Sequence, residues 1–168
     1  MSGIPVIETE RLILRGHRPG DFAACAAMWA DPAVVRHIGG KPFTEEEVWA
    51  RLLRYAGLWA WLGYGYWAME EKATGMFAGD MGLADWKRHI DPPLDAPELG
   101  WILASPLHGQ GLATEAVRAV LAWASRRTTC IIHPGNLASI RVAEKCGYRK
   151  TGHTDYKGEP VIAFHREP

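Results

Sequence analysis

The stretch SPLHGQGLATEA, residues 105–116, joins an apolar run to a helix-forming one through two glycines set around a glutamine, which puts bare, permissive backbone at the first turn of a helix. Upstream, ELGWILAS (residues 98–105) is rich in strand formers, and Pro106 just beyond it cannot continue a ladder. Downstream, Leu112, Ala116, Val117, Val120, Leu121 and Ala124 recur at helical spacing, with Arg118, Arg126 and Arg127 on other faces. The unit is therefore strand, glycine loop, helix. The first amides of a helix have no intrahelical partner and carry the positive end of its dipole, so a loop without side chains lets an anion come close to them. A phosphate site is one physical reading; a tight turn that holds nothing is the other.

Two nucleotide-binding loops fail on residue identity. The dinucleotide fingerprint needs a third glycine three residues after the second, where Thr114 stands, and the P-loop needs a Gly-Lys-Ser/Thr triplet that does not occur. A dinucleotide oxidoreductase is thereby disfavoured. His108-Gly109-Gln110-Gly111-Leu112-Ala113 instead resembles the Gln/Arg-x-x-Gly-x-Gly/Ala signature of the Gcn5-related N-acetyltransferase (GNAT) superfamily, with His108 replacing the usual first residue. Within HPGNLASIRVAEKCGYRKTG (residues 133–152), the pattern Asn136-x-x-Ser139-x-x-x-x-Glu144-Lys145-x-Gly147-Tyr148 is similar to the segment that marks the branch related to the ribosomal-protein acetyltransferases RimJ and RimL. The opening IETERLILR (residues 7–15) resembles that branch's first strand.

The resemblance implies a single N-acetyltransferase domain over residues 1–168 with an α/β (α+β) acyl-CoA N-acyltransferase fold: a mixed central sheet with a splayed strand pair, flanked by helices. It implies acetyl-CoA as the cofactor. The main chain of His108, Gly109, Gln110, Gly111, Leu112, Ala113 and Thr114 would hold the pyrophosphate, and the pantetheine arm would lie along Trp101, Ile102 and Leu103 as far as Ala104. Asn136 and Ser139, three residues apart at a helix start, would present one face toward it, although Asn136 is also a plain N-cap and Ser139 could simply be an exposed helical serine. The implied reaction moves an acetyl group to a primary amine, a protein N-terminal α-amine or a small molecule, by direct attack in a ternary complex. A non-catalytic acyl-CoA-binding regulatory module is the alternative.

Chemistry narrows the residue roles. Many members of the superfamily carry a tyrosine general acid shortly before the Gly-Phe/Tyr of the last motif, but Val142 and Ala143 occupy that region here, so Ser139 becomes the candidate that assists the leaving thiolate. A thiol with a pKa of about 8.5 leaves tolerably near neutral pH, so a weak acid suffices. For the base, Glu98 begins the fourth strand beside the expected acceptor mouth; it is either a catalytic carboxylate or one paired with an arginine. Asp80, Asp85 and His133 are the other candidates. Aromatics crowd LWAWLGYGYW (residues 58–67) and Trp86, as core or as the wall of an acceptor pocket.

Independent of the motifs, the hydrophobic pattern predicts a strand at residues 10–15, a helix opening near residues 19–21, and a capping box at Thr44 and Glu47 starting a helix to about Leu62. Two strands joined through residues 72–75 follow, then the strand at residues 98–104, the glycine-loop helix, a strand at residues 129–133, a helix at residues 136–146 and a closing strand pair. Lysine plus arginine equal aspartate plus glutamate at 19 each, which points to neither nucleic acid nor an anionic membrane as partner and argues against a strongly cationic acceptor. No apolar run approaches the ~20 residues of a membrane span, and the N-terminus lacks a signal-peptide pattern, so a cytoplasmic monomer or homodimer is expected. Cys25, Cys130 and Cys146 lack metal-site spacing and read as buried free thiols, with no metal expected.

Overall fold

The computed structural model describes residues 3–168. A short edge strand β1 (Ile7–Glu8) turns into β2 (Leu12–Arg15), and a 3₁₀ turn at Pro19–Asp21 leads into α1 (Phe22–Ala30), α2 (Pro32–Val35) and α3 (Glu45–Leu62). Then come β3 (Tyr66–Glu71), β4 (Phe77–Ala84), β5 (Glu98–Leu103), α4 (Leu112–Ala124), β6 (Thr128–Ile132), α5 (Leu137–Lys145), β7 (Arg149–Tyr156) and β8 (Glu159–Arg166). The expected order of elements is present, with two refinements. The first strand is interrupted between residues 8 and 12, where Thr9 folds back so that its N–H donates to Leu12 O at 2.9 Å. The four-residue α2, too short to show a period, starts at Asp31, whose carboxylate accepts from Ala33 N–H.

All eight strands form one sheet in the order β1-β2-β3-β4-β5-β6-β8-β7. Neighbours are antiparallel except β5 and β6, which run parallel and keep a single register pair, Glu98 with Thr129. On one face α4 buries Leu112, Ala116, Val117, Val120, Leu121 and Ala124 against Leu12, Leu14, Met81, Leu83, Leu99 and Leu103, the spacing seen in the sequence. Trp59, Trp67 and Trp123 meet edge to face at this core, so part of the aromatic stretch is structural. On the other face α1 to α3 pack Cys25, Met28, Trp29, Val48, Leu52 and Tyr55 against Tyr66 and Ala84. Burial of each large apolar side chain contributes roughly 1.5–3 kcal/mol, so both helical layers are anchored by several such residues. Thr44 accepts from Glu47 N–H and Glu47 accepts from Thr44 N–H, the reciprocal cap that fixes where α3 begins. Cys25, Cys130 and Cys146 are all buried free thiols; burial pushes each of them up from the ordinary thiol range.

Candidate active site

The site is built on the gap between β5 and β6. Ala104 N–H donates to Ala78 O at 3.0 Å. In the alternating antiparallel ladder this assigns the even-numbered residues of β5 to β4 and turns the N–H and C=O of Leu99, Trp101 and Leu103 toward β6. Past the one register pair at Glu98 the two strands no longer pair, so Trp101 and the Leu103 N–H face open space. His108 donates from Nε2 to Leu103 O at 2.8 Å, which pins the end of β5 to the glycine loop. The departure from the family's usual first residue thus has a structural use.

Beyond His108 the chain runs through Gly109 at φ 75° and Gly111 at φ 80°, the left-handed region that favours glycine, and Gly111 is the N-cap of α4. The N–H groups of Gly109, Gln110, Gly111, Leu112, Ala113 and Thr114 have no acceptor among the described residues, and the first ladder bond is from Glu115 to Gly111 O. A Cβ at Gly109 would meet nothing within 4 Å, so the left-handed backbone rather than crowding favours glycine there. The loop is held from behind. Arg11 donates from Nη1 to Gln110 O at 2.8 Å and from Nε to Glu115 at 2.7 Å. Thr9 and the Arg11 N–H also donate to Glu115. Burial raises the Glu115 carboxyl, and these donors outweigh it and hold the group below the usual range. Gln110 turns its amide back on Pro106 O.

On the α1 to α3 side, a cleft of about 550 Å³ opens onto the same strands and is lined by Glu98, Trp101, Ile102, Asn136 and Ser139 together. Five of the residues singled out by sequence therefore share one cavity. Leu103 is buried in the core and contributes main chain only, while residues 108–114 lie outside the cleft lining at the end of β5. Asn136 Oδ1 accepts from Ser139 N–H at 3.1 Å, the N-cap of α5, so capping and cleft exposure coexist in one residue. Half-buried Ser139 reaches the cleft from the opposite wall to β5.

Glu98 has the ion-paired arrangement. Its two oxygens accept from Arg88 Nε at 2.5 Å and Arg88 Nη2 at 2.8 Å, and the pair is largely buried. Burial works against the Arg88 charge, and Glu98 more than restores it, raising the guanidinium further. Asp80, another base candidate, is fully buried beneath the cleft, accepting from Trp29 Nε1 at 3.0 Å and facing His17 Nε2 at 2.8 Å, and does not line it. Asp85 is exposed and paired with Lys87. His133 does line the cleft; its Nδ1 accepts from Gly135 N–H at 2.9 Å, which leaves its neutral-form proton on Nε2.

Arg88, His37 and Arg51 are among the cleft residues that the sequence did not single out, and Tyr66 stood out only as one member of an aromatic stretch. Tyr66 sets its hydroxyl against Gly100, where any Cβ would overlap it; a glycine inside a strand is the signal that something approaches closely. Arg88 belongs to an irregular loop, and nothing local announces its partner. His37 stacks on His133 with centroids 5.2 Å apart, and burial, with His133 and Arg36 adding to it, pushes its imidazole below the usual range. Arg51 sits mid-helix, where sequence gives it a solvated face. Of the aromatic stretch, Tyr66 and Trp86 line the cleft, whereas Trp61 projects outward.

A splayed parallel pair, free amides at a helix N-terminus and a cleft against the strand gap define an acetyltransferase of the GNAT type. The Acetyltransferase (GNAT) domain profile matches residues 11–149, and the chain belongs to that family. Protein YkkB of Bacillus subtilis (strain 168), itself uncharacterized, is 33% identical over 99% of this chain and 98% of its own length. The crystal structure of an acetyltransferase from Agrobacterium tumefaciens C58 superposes with a TM-score of 0.84 at 26% identity, covering 100% of this chain and 97% of the other. RimL, the ribosomal L7/L12 alpha-N-protein acetyltransferase, solved in complex with coenzyme A, shares the fold at a TM-score of 0.79 and 18% identity, over 97% and 98% of the two chains.

Proposed function

We propose that the protein is an acetyl-CoA-dependent N-acetyltransferase that acylates a primary amine by direct attack in a ternary complex. The observation that carries this reading is the unpaired edge of β5 at Trp101 and Leu103, ending at six free amides and opening into a cleft whose far wall bears Ser139. The residues fit the cofactor: an unpaired strand edge can accept a pantetheine amide chain as a missing strand, and outward N–H groups at a helix start suit a pyrophosphate. Acetyl-CoA, when bound, supplies an acyl group activated as a thioester. Residues 109–114 bind it and Trp101 and Leu103 orient it through main-chain atoms, with Ile102 and Asn136 lining the cleft beside it.

Trp101 N–H, fixed by the ladder to β4, is a preorganised donor for charge developing on a carbonyl oxygen, the kind of stabilisation that often contributes most. Ser139 Oγ donates a proton or hydrogen bond to the departing sulfur. Glu98, with both oxygens engaged by Arg88, keeps spare lone pairs that accept from the incoming amine or an intervening water, and so positions it. An α-amine with a reference pKa near 8 is partly neutral already, and the imidazole of His37 in the same cleft can take up its proton. The acceptor is an N-terminal α-amine or a small-molecule amine, met in the cytoplasm by one or two copies of the chain.

Coenzyme A release measured against a panel of amines and short peptides tests the reading. Acceptor-dependent release is expected. Tight binding of acetyl-CoA with no release on any acceptor would make the chain a binding module instead.

A further inference from the structure

Arg51 projects from the middle of α3 into the cleft. Its guanidinium lies over the Trp29 ring at 4.1 Å and reaches Phe43 at 4.9 Å, and Trp29 is itself fully packed and tied through its indole N–H to Asp80. The Arg51 Nε is buried without a hydrogen-bond partner among the described residues. No carboxylate among them comes within 4.0 Å of the group either, since the ion pairs formed involve other cations. Asp80 is nearby but satisfied: His17, Trp29, Cys25 and Tyr55 surround its oxygens. Arg51 is half-buried, with its Nε donor buried and unpaired and no carboxylate in contact with the guanidinium, so a ligand that brings an acceptor there gains a charge-assisted bond.

The wider cleft has the same sign. Four cationic side chains line it against two carboxylates, and since Arg88 and Glu98 pair with each other, Arg36, Arg51 and Lys157 stand against Glu159 alone. This charge is not the phosphate site, because residues 108–114 contribute nothing to the cleft lining. Nor does the whole chain explain it, since the formal charge is zero.

We propose that the acceptor is an amine that also carries a carboxylate, and that Arg51 reads that carboxylate. The proposal rests on the acetyltransferase reading and narrows it to a substrate class: a free amino acid, or a peptide with an acidic side chain beside its N-terminal amine. A planar guanidinium fork matches a carboxylate through two parallel N–H···O bonds, and stacking on Trp29 fixes the plane of the fork before anything binds. Tyr66 and Trp86 give the same cleft an aromatic wall for the rest of the acceptor.

The test compares matched acceptors that differ in one charge: phenylalanine against phenylalaninamide, and short peptides with Asp against Asn at the second position. Rates of coenzyme A release are measured for the wild type, Arg51→Met and Arg51→Lys. In a separate calorimetric arm, N-acetylphenylalanine and its amide are titrated as product-like ligands, so that binding is read without turnover. The expected result is a kcat/KM preference of about 10- to 100-fold for the acid in at least one pair, the size of a charge-assisted bond pair. That pair identifies whether the carboxylate comes from an amino acid or from a peptide. Arg51→Met should bring the acid down to the level of its amide, and Arg51→Lys should keep part of the preference. Equal rates within every wild-type pair, or a preference that survives in Arg51→Met, would overturn the proposal; if Arg51→Met does not fold, the wild-type pairs and Arg51→Lys decide. Absence of turnover on every amine would sink the acetyltransferase reading, and the calorimetry would still judge this one: tighter binding of the acid, lost on substitution, supports it, and equal binding refutes it.

Discussion

Replacing Gly100 by alanine sets a methyl group on the hydroxyl of Tyr66. Relative to an ordinary C···O separation of about 3.3–3.6 Å, the new Cβ would be too close to Tyr66 Oη by more than ~1 Å. It would stand 3.2 Å from Cζ, only a few tenths tight. The ring cannot swing aside, because it is buried and stacked parallel on Tyr55 with centroids 4.4 Å apart. Either that stack or β5 must shift, and overpacking of this kind costs about 1–3 kcal/mol. At roughly 2–4 °C per kcal/mol for a chain of this size, Tm should fall by about 2–12 °C. Since one atom causes the clash, Tyr66→Phe, which deletes it, should remove most of the penalty. Urea unfolding of the four proteins in a double-mutant cycle should then give a coupling of about 1–2 kcal/mol. Additive penalties would refute the reasoning, because they would mean that something other than the hydroxyl demands a glycine at residue 100.

Gly111→Asp places a carboxylate and a strained left-handed side chain among the free amides, and should weaken acetyl-CoA binding by several kcal/mol at ~4 Å like-charge separations, read by calorimetry on the folded variant. Ser139→Ala should lower kcat about 10²- to 10⁴-fold with cofactor affinity nearly intact if the hydroxyl assists the thiolate; a change in KM for acetyl-CoA alone would make it a positioning group. Asp21 bears on acid stability. Burial raises its carboxyl, but Arg15 and the Arg18 N–H outweigh burial and hold it below the usual range. A depressed folded value means this stabilisation is complete above the unfolded pKa of about 3.9 and lost as pH falls through the folded value. Asp21→Asn should therefore flatten the decline in stability below about pH 4, and an unchanged acid limb would contradict the assignment.

Most of the fold was legible because its signals are local. The capping pair Thr44 and Glu47, the helical spacing from Leu112 to Ala124 and the glycines before it each act over a few residues, and the structure keeps them. The candidate site was legible where main chain or motif defines it: Trp101, Asn136 and Ser139 share the cleft, and the loop amides are without acceptors among the described residues. It was illegible where a side chain takes its meaning from a distant partner. Glu98 begins a strand as expected, yet only the folding of an irregular loop supplies Arg88 to both of its oxygens. Arg51 reads as one more charge on an exposed helix face until Trp29 and Phe43, from elements before it, close over its plane. His37 follows a helix too short to register as a pattern, and its ring finds His133 nearly a hundred residues on.

Arg11 stands in the break between β1 and β2, and through Gln110 O and Glu115 it couples the start of the chain to the loop that opens α4. The loop's shape is thus settled when the N-terminal edge of the sheet docks, so the anion proposed for it would meet donors already in place and leave little chain motion to freeze. The cost of that readiness is dependence. A lesion or tag that disturbs the first dozen residues should register as loosened amide protection at residues 109–114 and, on the proposed function, as a weaker grip on the cofactor, which makes the N-terminal hairpin the hinge pin of that loop.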